Sequence, residues 1–330
     1  MIRLLWRSDL HLADSAPESR TDDWAATLMG KLRQIGEIAR DHNVDVVLDG
    51  GDFFHVKTPS RNSHQLIREV AEIHAAYPCP VIGNIGNHDV KYGDRNNLPE
   101  APLGVLFETG VFKRCYDEHE HVYSKAFTVP FQEDRITFKV RVVGIPYHGT
   151  KYDMNRFTTL VKGDEDYLVV MVHCLASQGG GTMFEREDII KYADLANLDP
   201  DVWFFGHWHK NQGVTQIAPG KHVVNVGSLT RGSLTEDEMA RVPVVVLVGF
   251  DEKGIHIEEI PLKVLPAGQV FDLTERTRQE ARKMTVEGFV DSLQAAFKHN
   301  DQEDLTETLA RMDLLDEVKE RALSYLEQAR

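Results

Sequence analysis

The stretch that decides the fold reads Val44-Asp45-Val46-Val47-Leu48-Asp49-Gly50-Gly51-Asp52. It is a short apolar run that ends in two glycines and a carboxylate, which indicates a strand followed by a sharp turn. Apolar residues recur at helical spacing on both sides of it, over residues 24–39 and 66–73, and Asp22 or Asp23 is available as the N-cap of the first helix. Alternating strands and helices predict a sheet covered by helices, with functional groups beyond the carboxyl ends of its strands.

Strand candidates continue along the chain and are too numerous for one sheet. Besides residues 44–48 they occupy residues 1–6, 81–85, 168–172, 202–205, 214–217, 222–226, 243–250 and 254–260, together with a hairpin at 122–129 and 136–143. The later strands imply a second sheet packed on the first. We therefore predict an α/β fold in which two mixed β-sheets are sandwiched between helices, with a C-terminal helical appendage.

The pattern changes near Leu273, where charged helical sequence replaces the strands. Three stripes of apolar residues follow at helical spacing, at 286–297, 305–312 and 315–326. We predict one domain over residues 1–265 and a helical C-terminal region over residues 273–330. The sequence leaves open whether these stripes pack on their own core or dock a partner helix.

The composition is that of a globular protein with an acidic surface. A hydrophobic content of 42% in 330 residues allows a sizeable core, in one large domain or in one domain with an appendage. Since no apolar run reaches the length of a membrane span and the three cysteines are widely spaced, we expect a cytoplasmic protein without a membrane partner. The net charge of −15 disfavours a nucleic-acid substrate without excluding it.

Polar side chains follow apolar runs in five short segments. These segments are Ser8-Asp9-Leu10-His11, Gly50-Gly51-Asp52-Phe53-Phe54-His55, Gly86-Asn87-His88-Asp89, Val172-His173 and Gly206-His207-Trp208-His209. Carboxylate, imidazole and carboxamide groups at strand ends are the ligands that a pair of divalent cations requires. Asp52 has two oxygens and can bridge two ions. Asp9 and His11 alternate with apolar residues, so we expect both to point to one side of an extended strand end.

A structural interpretation of these histidines competes with the metal interpretation. A single histidine near a strand end is more often a hydrogen-bonded structural residue than a ligand, and the chain contains 15 of them. Five clusters in the same context favour a metal site. We expect ordinary surface positions for His42, His64, His74, His119, His121, His222, His256 and His299.

In these segments the chain resembles the calcineurin-like metallophosphoesterases. The pattern of that family is D-x-H, G-D, G-N-H-D/E, a later H and G-H-x-H, and it is met in order within about residues 1–262. The resemblance implies hydrolysis of a phosphate ester with two divalent metal ions, for which we expect manganese. It implies one ion held by Asp9, His11, Asp52 and His209, and the other held by Asp52, Asn87, His173 and His207.

The resemblance also implies three catalytic residues. His88 looks like the family's histidine that contacts the phosphate or protonates the leaving oxygen. Asp89 is expected either to orient His88 or to cap the following turn. The Gly-Asp-Phe-Phe-His form that ends at His55 resembles the SbcD-type DNA-repair nucleases, in which this histidine helps to seat the scissile phosphodiester. The alternative for His55 is a turn residue with local hydrogen bonds.

The nuclease branch implies particular partners. These are DNA, an SMC-like coiled-coil ATPase subunit of the SbcC type that would bind residues 273–330, and a second copy in a homodimer. Our leading hypothesis is a metal-dependent DNA exo/endonuclease that acts in repair or recombination. One alternative is a phosphoesterase for cyclic nucleotides or phosphomonoesters, which the acidic charge favours. Another is a non-catalytic scaffold, which the complete ligand set disfavours, and Asp89 disfavours a phosphoprotein phosphatase because those enzymes usually carry Glu there.

Overall fold

Alternate residues of the first strand face two different apolar layers. In the computed structural model, which describes residues 1–56, 61–91, 94–128, 135–179 and 187–274, strand β1 spans Ile2–Arg7. Leu4 and Trp6 pack into one apolar cluster and Leu5 packs into another. Because successive side chains of a strand point to opposite faces, β1 must lie between two packed layers.

The first sheet has six strands and is mixed. In spatial order they are β14 (Gly254–Pro261), β13 (Val244–Asp251), β1, β2 (Val46–Asp49), β3 (Val81–Gly83) and β4 (Phe112–Arg114). The pairs from β1 to β4 are parallel, whereas β13 pairs antiparallel with both β1 and β14. The strand–helix–strand pattern read from the start of the chain therefore forms the parallel half of this sheet.

The second sheet also has six strands and is mixed. In spatial order they are β11 (Gly213–Ala218), β12 (Lys221–Asn225), β10 (Val202–Gly206), β7 (Tyr167–His173), β6 (Arg135–Ile145) and β5 (His121–Thr128). The antiparallel pairing of β5 with β6 confirms the predicted hairpin, although its turn lies outside the described residues. The two short strands β8 (Ala176–Ser177) and β9 (Ile190–Lys191) pair in parallel beside it.

Helices cover the outer faces of the sheets. They are α1 (Trp24–Asp41), α2 (His64–Ala75), a 3-10 helix (Arg95–Glu100), α3 (Pro102–Glu108), α4 (Asn155–Thr158), α5 (Tyr192–Leu195), α6 (Glu236–Ala240) and α7 (Ala267–Val270). Asp23 is the N-cap of α1, since its side chain accepts from the backbone N–H of Ala26. Asp22, the other candidate cap, pairs with Arg20 instead.

Three apolar clusters hold the layers together. One lies between the first sheet and helices α1, α2 and α3, a second lies between the two sheets, and a third covers the outer face of the second sheet. Trp6 of the first sheet stacks on Phe204 of the second, with ring centroids 4.8 Å apart. This arrangement confirms the predicted α/β architecture of two mixed sheets between helices.

The chain divides into two compact units, Met1–Phe271 and Asp272–Arg330. The second unit falls almost entirely outside the described residues, so the helical region predicted over residues 273–330 stays a prediction. Among the residues that the structure describes, no helix is long and apolar enough to cross a membrane.

A buried charge network joins the ends of β1 and β2. The register places Arg7 opposite Asp49, and the guanidinium Nε donates to the carboxylate at 2.8 Å. The other two nitrogens of Arg7 contact the hydroxyl of Tyr77 at 3.1 Å and Nε2 of His74 at 2.9 Å. His74 is buried rather than exposed as expected, and burial, with Arg7 adding to it, lowers its pKa well below the ordinary value. Its neutral ring therefore accepts from Arg7 while Nδ1 donates to Val70.

We expect Asp49→Ala to lower the free energy of unfolding by about 3–5 kcal/mol, because it leaves the buried Arg7 guanidinium without its counter-charge. Urea denaturation followed by circular dichroism measures this change. The control is Lys125→Ala, which breaks a partly exposed ion pair with Asp45. Its expected cost is below about 1 kcal/mol. Equal losses in the two variants would contradict the importance assigned to the buried pair.

Candidate metal centre

The five polar segments converge at one end of the two sheets. Strands β1, β2 and β10 end shortly before a segment, and β7 ends in His173 itself. The backbone N–H of His207 donates to both oxygens of Asp9, at 3.0 and 3.2 Å, although the two residues are 198 positions apart. Nδ1 of His173 donates to the carbonyl of Gly50 at 2.9 Å. Each contact joins one sheet to the other, so the carboxyl ends of parallel strands from both sheets form one site.

Four of the predicted ligands have a left-handed backbone that non-glycine residues rarely adopt. The φ angles are 55° at Asp9, 50° at His11, 52° at Asp52 and 93° at His207. The expectation of an extended strand end at Asp9 and His11 is therefore wrong, because β1 has ended before them. Each such residue costs about 1–3 kcal/mol and persists only where its surroundings hold it. Here the N–H groups of Asp9 and His11 donate to the carbonyls of Gly51 and Asp52, at 3.1 and 3.0 Å.

Two glycines allow two loops that carry predicted ligands, at residues 50–55 and 86–89, to touch. Gly51 has a φ of 98°, and a Cβ on it would lie 2.5 Å from the backbone nitrogen of Gly86. A Cβ on Gly86 would lie 2.1 Å from Oδ1 of Asp52. Only glycine fits at either position, because a side chain on Gly51 would collide with the backbone of Gly86 and one on Gly86 would displace the Asp52 carboxylate.

Asp9, His11 and His209 form the first group of ligand atoms. Nε2 of His11 lies 2.9 Å from Nε2 of His209, which lies 3.9 Å from Oδ1 of Asp9. Burial lowers the pKa of His11 well below its ordinary value, against the opposing effect of Asp52. His11 is therefore neutral near pH 7, which is the form that binds a cation.

Asp52, His173 and Asn87 form the second group, together with His207. Oδ2 of Asp52 lies 3.4 Å from Nε2 of His173, and that nitrogen contacts Oδ1 of Asn87 at 3.3 Å. Burial disfavours the charged forms of the carboxylate and the imidazole, but their pairing outweighs it. The pKa of His173 rises to about 10 and the pKa of Asp52 falls below its ordinary range.

The chemistry of this donor set fits a pair of divalent cations. Three groups of side chains place their ligand atoms within 4.8 Å of one another: His11, His55 and His88; Asp9, His11 and His209; and Asp52, His173 and His207. Asp52 also lies 3.7 Å from Nε2 of His11, so its carboxylate faces both of the last two groups. Buried carboxylates need positive charge beside them, and mixed oxygen and nitrogen ligands suit manganese, iron or zinc. The ligand assignments themselves stay predictions.

His55 and His88 form a stacked pair beside His11. Their ring centroids are 5.1 Å apart, and both rings meet the His11 ring edge-on. Nδ1 of His88 donates to the carbonyl of His55 at 2.9 Å, so Nε2 is the ring nitrogen that does not take part in this hydrogen bond. The backbone N–H of His88 donates to Oδ1 of Asp52 at 2.7 Å. Burial lowers the pKa of His55, and the neighbouring His88 adds to this effect.

Asp89 joins two of the ligand loops. Its Oδ2 accepts from the backbone N–H groups of Asp52 and Gly86, at 2.7 and 2.8 Å. Burial, reinforced by the charge of Asp52, raises the pKa of Asp89 well above its ordinary value. Since the ring of His88 is held by the carbonyl of His55, these contacts differ from both roles expected of Asp89. Asp89 closes the turn that precedes it and fixes that turn against Asp52.

The sequence interpretation missed two carboxylates at the site. Oε1 of Glu187 lies 3.1 Å from Nε2 of His207. Oε1 of Glu238 lies 3.9 Å from Nδ1 of His209, and its Oε2 accepts from two backbone N–H groups at residues 232–233. Glu187 lies in the charged run Glu185-Arg186-Glu187-Asp188 and carries no local signal. Glu238 does carry one, because Thr235 caps helix α6 in a capping-box spacing, but the carboxylate binds the preceding loop instead.

The loop at residues 227–231 is buried and supports His209. The backbone N–H of Ser228 donates to the carbonyl of His209 at 3.1 Å. Three basic side chains donate to carbonyls of this loop: Lys31 to Leu229 at 2.5 Å, Arg20 to Arg231 at 2.5 Å and Arg241 to Ser228 at 2.6 Å. Burial lowers the pKa of Lys31 to about 7, and the nearby arginines add to this effect. Basic side chains that do not face solvent therefore hold the loop from the side away from the cavity.

A cavity of about 480 Å3 opens beside the stacked histidines. Its polar lining includes His11, His55, His88, His209, Arg61 and Glu238. Trp24, Pro17 and Val56 supply an apolar wall. A cavity of this size with a few convergent polar groups is typical of a site for a small molecule or for one segment of a larger substrate.

Comparison with known proteins identifies the family. Residues 2–211 match the calcineurin-like phosphoesterase family. The chain belongs to it. Two distant relatives are the "DNA double-strand break repair protein Mre11" of Archaeoglobus fulgidus, 25% identical over 69% of this chain and 50% of the relative, and the "Double-strand break repair protein mus-23" of Neurospora crassa, 24% identical over 80% of this chain and 39% of the relative. The chain thus spans half or less of the length of these two relatives.

Among solved structures, the chain is similar to a dimetal phosphatase from Danio rerio. The two sequences are 12% identical. The match covers 79% of this chain and 99% of the phosphatase chain, with a TM-score of 0.47. Members of the calcineurin-like family use a dimetal centre, and the aspartate and histidine clusters described above are suited to one. The family membership confirms the resemblance read from the five sequence segments.

We expect Asp89→Asn to fold and function nearly as the wild type does, because a neutral amide oxygen can still accept from Asp52 and Gly86. Asp89→Ala leaves two buried N–H groups unpaired and should lower the free energy of unfolding by about 2–5 kcal/mol. Urea denaturation and hydrolysis of bis-p-nitrophenyl phosphate with manganese measure the two effects. If Asp89→Asn kept its stability but lost its activity, the carboxylate would act in the chemistry and not through the loops.

Proposed function

We propose that this phosphoesterase is a manganese-dependent DNA nuclease that hydrolyses phosphodiester bonds in repair or recombination. The observation that carries the proposal is the stacked pair of His55 and His88 beside the metal centre. It presents two imidazoles at the edge of the cavity, where a phosphodiester that entered the centre would pass. The distant homology to double-strand break repair proteins supports the DNA substrate.

The chemistry divides between the metal ligands and this histidine pair. A bound pair of divalent cations would lower the pKa of a water molecule and stabilise negative charge on the phosphoryl oxygens. His88 is held through Nδ1 by the carbonyl of His55, so its Nε2 is the nitrogen that would contact the phosphate or give a proton to the leaving oxygen. His55 would orient the phosphodiester on the other side of the stack. Asp52 holds the backbone of His88 and thereby sets its distance from the ligands.

The charge around the cavity supports an anionic substrate. Although the whole chain carries a net charge of −15, the described lining has four histidines and one arginine against a single carboxylate, Glu238. That carboxylate accepts from the N–H groups of Gly232 and Ser233, which spreads its charge over the loop. A phosphate group therefore meets the Arg61 guanidinium and imidazole N–H donors before it meets the acidic surface.

A small phosphodiester is the second candidate substrate. The cavity volume of about 480 Å3 is within the range of sites for small molecules, and the acidic surface gives no general attraction for a DNA backbone. Cyclic nucleotides and bis-p-nitrophenyl phosphate represent this class, and linear single- and double-stranded DNA represent the other. The proposal requires that the DNA substrates have the higher kcat/KM with manganese.

We expect His88→Ala to lower kcat on linear DNA by about 10²–10⁴-fold, as for the loss of a general acid, while manganese binding is retained. His55→Ala should mainly raise KM for DNA and should affect bis-p-nitrophenyl phosphate less. Steady-state kinetics on both substrates and calorimetric manganese titrations separate these effects. The control is His256→Ala, an exposed histidine paired with Asp251. Undiminished DNA cleavage in both site variants would contradict the assigned roles.

We further propose that residues 273–330 bind an SMC-like coiled-coil ATPase subunit and that the protein can form a homodimer. The apolar stripes predicted there suit a coiled-coil partner. Co-expression of such an ATPase with the full chain and with a chain that ends at residue 274 should give a stable complex only with the full chain. Light scattering of the protein alone measures the dimer. Equal retention of the ATPase by both chains would contradict this assignment.

A further inference from the structure

A polar chain links the two ligand-bearing strands of the second sheet. It starts at the backbone N–H of Leu175, two residues after His173, which donates to the hydroxyl of Tyr152 at 3.0 Å. The Tyr152 hydroxyl donates to Oε1 of Glu187. Nε2 of His207 contacts the same oxygen at 3.1 Å. Glu187 therefore lies between a tyrosine anchored next to one predicted ligand and the ring of another.

The partner of one ring nitrogen determines what the other nitrogen can do. A carboxylate only accepts, so Nε2 of His207 carries the proton in the contact with Glu187. Nδ1 then carries no proton, and its lone pair is what a neutral histidine offers to a cation. Asp9 separately fixes the backbone of His207. The contact with Glu187 therefore affects only the orientation and protonation of the His207 ring. Both hydrogen bonds stabilise the ionised form of Glu187 against its partial burial, and its pKa is lowered.

We propose that Glu187 is a positioning residue that fixes the tautomer and orientation of His207 for metal binding, and that Tyr152 holds Glu187 in place. The inference rests on the proposed metal centre and is independent of the DNA substrate. Outer carboxylates of this kind raise the basicity of a ligand histidine and pre-set its ring, and their loss typically costs 10–100-fold in metal affinity. The rings of Tyr147 and His173 pack beside the His207 ring, with centroids 5.5 and 5.1 Å from its centroid. These contacts restrict the orientations that the His207 ring can adopt.

The test uses the full chain freed of metal and titrated with manganese by calorimetry. Glu187→Ala should weaken one of two manganese sites by about 10–100-fold and leave the other nearly unchanged. Glu187→Gln keeps an acceptor without its charge, and Tyr152→Phe keeps the ring without its hydroxyl, so both should give smaller losses at the same site. The matched control is Glu165→Gln, a buried carboxylate paired with Arg141, which should bind manganese as the wild type does.

The histidine tautomer gives a readout independent of metal affinity. Long-range 15N–1H correlation spectra of the metal-free protein should show His207 protonated at Nε2 in the wild type, and a mixture of tautomers in Glu187→Ala. Wild-type affinity at both sites in Glu187→Ala, or an equal loss in Glu165→Gln, would overturn the inference. Wild-type protein that binds no manganese would instead overturn the proposed metal centre, so the two failures are distinguishable.

Discussion

Asp52 is the residue on which the rest of the site depends. Its backbone carbonyl accepts from His11, its N–H donates to Asp89, and its Oδ1 accepts from the backbone of His88. Its remaining oxygen faces the imidazoles of His11 and His173. A buried carboxylate with a left-handed backbone is unfavourable by itself, and each of these contacts compensates part of that cost. The ligand loops from both sheets are therefore built around one side chain.

The strand ends beneath the site must also be held in place, because they carry the loops of Asp9 and Asp52. Arg7 and Asp49 lie directly before the loops that carry Asp9 and Asp52, and their buried ion pair fixes the two strand ends in register. Because the loops leave the strands through strained backbone, a shift of one strand would misplace several ligands together. His74 takes part in this network as a neutral acceptor, which accounts for its burial.

Much of this architecture can be predicted from sequence, because apolar runs and strand-end ligands are local signals. The apolar run Leu4-Leu5-Trp6 indicates a strand, and the spacing of His207 and His209 indicates a ligand pair. The left-handed turn after β1 is not predictable in this way, since the hydrogen bonds that stabilise it come from a different segment. Glu187 is equally hidden, because only the fold brings it to His207. Local patterns therefore predict candidate ligands more readily than they predict the residues that contact those ligands.

The net charge of the chain and the charge near the cavity depend on different groups. Net charge is summed over the whole surface, whereas a substrate in the cavity responds mainly to groups within about a Debye length of 8–10 Å. Four histidines and Arg61 line that region, and carbonyls of the loop at residues 227–231 accept from Lys31 and two arginines. Carbonyls that accept hydrogen bonds from basic side chains add little negative potential to the cavity. An acidic protein can in this way maintain a site suited to phosphate esters without a basic surface.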